Sequence, residues 1–165
     1  MANDIRVCTV DLTQSACRNV IWILDSFVFA VSDVIKGIHH IGIAVSNLDE
    51  ALKTYKSVLG LEPTFVKEVK DQKIRAASFK LGESSIELFE PTDPASSVAG
   101  FLSKRGEGMH HVALAVDDIR AALHAAKKAG ATAIDREPRT GAEGQLIAFL
   151  HPKSTRGALV ELCQE

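Results

Sequence analysis

The chain contains one segment twice. Ile38-His-His-Ile-Gly-Ile-Ala-Val45 is followed by Ser46-Asn47 and a run from Leu48 to Gly60. Met109-His-His-Val-Ala-Leu-Ala-Val116 is followed by Asp117-Asp118 and a run from Ile119 to Gly130, matching the first position for position at an offset of 71. Each copy reads as a strand, a capping Asn or Asp, an amphipathic helix and a terminating glycine. Leu48, Leu52, Tyr55 and Leu59 keep helical spacing in the first copy, and Ile119, Leu123, Ala126 and Gly130 keep it in the second.

Strand-like runs follow each helix. The first copy has 61–67, 74–81 and 85–89, and the second has 131–134, 145–150 and 158–163. Each unit is therefore βαβββ: module one spans 36–91, a Pro-, Asp- and Ser-rich linker spans 92–107, and module two spans 108–165. The linker holds a short apolar helix around Val98–Leu102. A half-unit of this size buries too little surface to stand alone. Two of them forming one curved mixed sheet around a shared cavity, with the helices outside, is the expected α+β fold.

Residues 1–35 have no counterpart in the repeat. Val20–Val34 is apolar but interrupted by Asp25 and Asp33, too short and too charged for a membrane span. It has no basic n-region for a secretory signal and is too acidic for a mitochondrial presequence. The expectation is an extension of unknown role, packed on the domain or simply preceding it. A formal net charge of −2 offers nothing to nucleic acid or anionic membranes. Three cysteines at no metal spacing suit a reducing compartment. The expected setting is the cytoplasm, or the mitochondrial matrix in a eukaryote.

Alternation along the strands selects the cavity face. His40, Gly42 and Ala44 share one face of the first strand, and His111, Ala113 and Ala115 share the equivalent face in the repeat. His39 and His110 fall on the opposite, helix-packing faces. Each closing strand carries one acid between apolar neighbours: Glu87 in Ser85–Phe89 and Glu161 in Leu159–Cys163. A carboxylate on a buried strand is costly unless paired or metal-bound. Two histidines and two glutamates related by one repeat point to a two-His, two-Glu metal site. That donor set suits Co²⁺, Ni²⁺, Zn²⁺ or Mn²⁺ with positions left open.

These features resemble the vicinal oxygen chelate superfamily, whose members include glyoxalase I, extradiol dioxygenases, fosfomycin-resistance proteins and methylmalonyl-CoA epimerases. The resemblance covers Lys36 to the C-terminus. Three stretches are similar to the epimerases within it: Ile38–Val45, Gly106–Ile119 with its Met-His-His, and Phe149-Leu-His-Pro-Lys-Ser-Thr155 leading into Gly157–Leu162. Ile86–Pro91 and Phe101–Arg105 add to it. The resemblance implies metal ligands at His40, Glu87, His111 and Glu161, cobalt(II) foremost, a methylmalonyl-CoA substrate and a homodimer. It also implies proton abstraction from the carbon between thioester and carboxylate. Glu161 is expected as one acid–base group, with Glu87 or a metal-bound water as the other. Lys153 and Ser154, in the loop before the Glu161 strand, are expected to bind the substrate carboxylate. The loop 139–144 is expected to close over the site.

One position departs from the pattern. Some epimerases carry a further glutamate on the third strand of the first module, where this chain has Ala76. The rival readings are a glyoxalase I-type lactoylglutathione lyase and a metal-free small-molecule-binding resistance protein. An extradiol dioxygenase ranks last.

Overall fold

The structure is a computed structural model and describes residues 34–164. The expectations for residues 1–33 lie outside it. Eleven elements follow in order: β1 (Ile35–Ala44), α1 (Leu48–Leu59), β2 (Phe65–Val69), β3 (Ile74–Leu81), β4 (Ser84–Pro91), α2 (Ser97–Arg105), β5 (Gly108–Val116), α3 (Ile119–Lys128), β6 (Arg139–Thr140), β7 (Leu146–Leu150) and β8 (Val160–Gln164). The strands form one mixed sheet in the order β2-β3-β4-β1-β5-β8-β7-β6. The order is symmetric about its centre. β1 pairs parallel with β4, β5 pairs parallel with β8, and β1 and β5 join the modules antiparallel.

The helices start and stop where their caps place them. The Asn47 side chain accepts from Glu50 N–H, and Gly60 ends α1 at φ 68°, a left-handed geometry that glycine adopts without steric cost. The Asp118 carboxylate accepts from the Arg120 and Ala121 N–H groups at the start of α3. The apolar stripe of α1 packs with Val45, Ala77, Phe79 and Leu88, and that of α3 packs with Val116, Ala148, Leu150 and Leu162. Both helices therefore cover the convex face.

Three expectations change. The linker helix, α2, lies against the concave side, where Val98, Phe101 and Leu102 pack on Ala44, Ile74, Ala76 and Phe89. The stretch 131–134 is not a strand. It touches β7 through a single bridge, Ala133 to Leu150, and beyond it the Asp135 carboxylate takes the Phe149 N–H at 2.8 Å, so a side chain stands in for a ladder carbonyl. The strand forms later as β6, inside the stretch expected as a flexible loop. The first module also begins slightly earlier than Lys36: β1 opens at Ile35, and Val34 and Ile35 pack on the α3 core.

Candidate metal centre and active site

The centre of the sheet delivers four buried polar side chains to its concave face. His40 is 2% exposed, Glu87 2%, His111 5% and Glu161 3%. The strand pairing explains their proximity. Gly42 on β1 stands opposite His111 on β5 and beside Glu87 on β4, while His40 and Glu161 both pair with Ala113. The His40 and His111 Nε2 atoms are 3.0 Å apart, and Glu161 Oε2 is 3.1 Å from His111 Nε2 and 3.9 Å from His40 Nε2.

These spacings suit a divalent ion. Bonds of about 2.0–2.2 Å set neighbouring donor atoms of one ion about 2.9–3.4 Å apart, and opposed ones about 4 Å apart. One donor atom from each of His40, His111 and Glu161 lies within 4.8 Å of the other two. Glu87 is adjacent but not part of that cluster. Its Oε1 lies 3.9 Å from His40 Nδ1 and has no hydrogen-bond partner. A buried carboxylate oxygen without a donor is costly, and a cation would relieve it. Burial pushes the Glu87 carboxyl up to about 8, helped by the carboxylates of Glu143 and Glu161 and opposed by the Lys67 ammonium.

Burial likewise pushes His40 down to about 3, with the rings of His111 and His39 adding to the effect. Its imidazole is therefore neutral at ordinary pH, the form that coordinates metal. The second Nδ1 of each pair is engaged locally. His39 Nδ1 is 2.8 Å from His40 Nδ1, and His110 Nδ1 is 2.9 Å from His111 Nδ1. With Nδ1 held, the two Nε2 atoms are directed at the centre.

The histidines expected on the helix-packing faces thus contact the site. The β1–β5 register slips between Ile38 and His40 and again between Gly42 and Ile43, so His39 and His110 are bulged residues at equivalent places in the repeat. A bulge breaks the strict alternation on which the facing argument rests. His110 in consequence lines the main cavity, meets the Phe101 ring of α2 edge-on, and is pushed down to about 4 by burial and then by His111.

The cavity has a volume of about 660 Å³, in the range of small-molecule sites, with His40, Glu87, His111 and Glu161 among its lining. Phe89 stacks on the His111 ring and Phe149 meets it edge-on, which fixes the imidazole in an apolar clamp. The lining also includes 71–74 and 95–98 together with Arg139, Thr140, Ala142 and Gln145. Ala142 packs with the core of module one, so the loop 139–144 contributes to the cavity lining. Lys153 and Ser154 are not among the cavity residues. Both are exposed in the turn after β7, where the Ser154 hydroxyl accepts from Thr132 N–H and Lys153 N–H donates to His151 Nδ1. There they hold the turn together.

Comparison with known proteins adds to the fold and the site. The Glyoxalase/Bleomycin resistance protein/Dioxygenase superfamily matches residues 39–149. The chain belongs to this superfamily. The chain is 42% identical over 125 residues to an uncharacterized protein of Bacillus subtilis, YqjC, covering 76% of this chain and 89% of that one. It is 39% identical over 129 residues to the ethylmalonyl-CoA/methylmalonyl-CoA epimerase of Cereibacter sphaeroides, covering 77% and 96%. Among solved structures, a variant of the Streptomyces coelicolor methylmalonyl-CoA epimerase in complex with 2-nitronate-propionyl-CoA is 36% identical, with a TM-score of 0.77 over 79% of this chain and 98% of that one. Among the described residues, no helix is long and apolar enough to cross a membrane.

Proposed function

We propose that this superfamily member is a methylmalonyl-CoA epimerase, interconverting the (2R) and (2S) thioesters. The observation that carries the reading is the convergence of His40 Nε2, His111 Nε2 and Glu161 Oε2 on the floor of a thioester-sized cavity. Relatives bearing that activity at 36–39% identity support the substrate.

His40, His111 and Glu161 would hold a divalent ion, with the unpartnered Glu87 Oε1 adjoining; cobalt(II) is the first expectation, ahead of zinc, nickel and manganese. When bound, such an ion supplies Lewis-acid charge that lowers the cost of the negative charge developing on the thioester oxygen. The protein's own part is proton transfer. Glu161 Oε2 faces the imidazoles, which leaves Oε1 to accept the proton on C2. The C–H electron pair moves into the C2–C1 bond, and the carbonyl π pair moves onto the thioester oxygen. Reversal of this flow from the opposite face, with Glu87 returning a proton to C2, completes the inversion. Phe89, Ile147 and Phe149 line the cavity and keep water from the carbanionic carbon. The same reading carries a homodimer and a role in propionate metabolism.

The test is solvent-deuterium incorporation at C2 of each methylmalonyl-CoA epimer, followed by NMR with metal content measured on the same sample. Methylglyoxal with glutathione serves as the parallel substrate. Metal-loaded protein that leaves the C2 proton in place, or that turns over the glutathione adduct instead, would overturn the assignment.

A further inference from the structure

The cavity that holds the histidines contains a buried hydrogen-bond donor without a partner. Gln72 lies in the turn between β2 and β3 and lines the cavity, yet its side-chain Nε2 is buried without a partner. An orphaned amide donor is costly, so such groups ordinarily find an acceptor. Asp93 and Ser96, on the approach to α2, have partners of their own. Asp93 Oδ1 takes the Ala95 N–H, Asp93 Oδ2 pairs with Lys73 Nζ at 3.2 Å, and Ser96 Oγ takes the Val98 N–H.

The turn is also held in place. Lys73 adopts φ 55°, an uncommon conformation for a residue with a β-carbon, and its carbonyl accepts from Thr92 N–H at 2.9 Å. Gln72 N–H donates to Val69 carbonyl, and the Lys73–Asp93 pair ties the turn to the approach to α2. An unusual backbone geometry fixed from three sides delivers the Gln72 amide to the cavity wall.

We propose that Gln72 Nε2 donates to an amide carbonyl of the pantetheine arm of an acyl-CoA substrate, giving the cavity a subsite for the carrier as well as for the acyl group. This rests on the thioester reading above. The local charge selects the class of acceptor. Lys73 is neutralised by Asp93, and Asp71 brings an exposed carboxylate to the same wall, so a phosphate is disfavoured and a neutral carbonyl oxygen is suited. Between its thioester and its phosphates, an acyl-CoA presents two such carbonyls.

The experiment is calorimetric titration of wild-type, Gln72→Leu and Gln72→Asn proteins with two fragments. Pantetheine carries the amides without phosphate, and adenosine 3′,5′-bisphosphate carries phosphate without the amides. Gln72→Leu is expected to weaken pantetheine binding about tenfold, the scale of one hydrogen bond, and to leave the bisphosphate unaffected. Its thermal stability without ligand should equal or exceed wild type, because the unpaired donor is gone. Gln72→Asn, which keeps the fold but withdraws the amide, should show the same selective loss. Equal pantetheine affinity in all three proteins overturns the subsite, as does equal weakening of both fragments or no pantetheine binding to wild type. Selective loss in a protein without epimerase activity would instead overturn the acyl assignment and leave the subsite standing.

Discussion

The imidazole of His111 occupies the space that a side chain on Gly42 would need. A β-carbon at residue 42 would lie 2.3 Å from His111 Cε1 and 2.7 Å from its Nε2. The two residues are direct partners across β1 and β5, so the ring lies flat over the glycine on its way to His40. Gly42→Ala is therefore expected to displace the ring. Metal content should fall to a small fraction of wild type while the circular dichroism spectrum stays the same. A Gly42→Ala protein with full metal stoichiometry would show that His111 coordinates from another position.

That contact is visible in the sequence as an asymmetry of the repeat, with Gly42 in one copy where Ala113 stands in the other. The larger features are legible for the same reason. A repeat forces equivalent residues into equivalent places, so the residue pattern by itself pairs His40 with His111 and Glu87 with Glu161. What alternation cannot carry is the bulge, because one extra residue turns His39 and His110 toward the His40 and His111 rings without altering the pattern of residue types. The missing strand at 131–134 has a similar cause. Its β-propensity is adequate, but the Asp135 side chain takes the backbone donor that a ladder needs. Lys153 and Ser154 fall in the turn between β7 and β8, outside the residues that line the cavity, and nothing in the residue pattern distinguishes that turn from one beside the site.

The bulged histidines yield a graded prediction. His40→Ala and His111→Ala each remove a donor atom from the three-residue cluster and should abolish stoichiometric metal binding. His110→Ala leaves all donors in place but frees the Nδ1 of His111, 2.9 Å away. Loss of such an orienting contact typically costs about 10–100-fold in metal affinity. Competition titration with a chromogenic chelator measures all three. An affinity unchanged in His110→Ala would mean that Phe89 and Phe149 alone orient the ring.

The convex face should govern stability without governing the site. Phe79 is fully buried against Val45, Leu48, Ala77 and Leu88 and stacks on the Tyr55 ring at 5.3 Å. Phe79→Ala is expected to cost about 3–5 kcal/mol of unfolding free energy. Chemical denaturation of metal-free protein checks this. Metal stoichiometry at low temperature should remain that of wild type, because none of the three clustered donors lies on that face.

The glutamates separate coordination from proton transfer. Glu161 places Oε2 among the imidazoles, and the proposed reaction asks its carboxylate to accept a proton as well. Glu161→Gln keeps the shape and one oxygen able to coordinate, but its amide cannot act as a base. Metal content should stay near wild type while C2 exchange falls by roughly 10²-fold or more, the scale of a lost general base. Glu87→Gln tests the other face. Its Oε1 lacks a partner and stands outside the three-donor cluster, so metal should again be retained. If Glu87 serves one face only, this variant should still wash deuterium into one epimer while failing to convert it to the other. Uncoupling of exchange from inversion in Glu87→Gln identifies the second proton carrier. Loss of both in equal measure, with metal intact, would assign both transfers to Glu161.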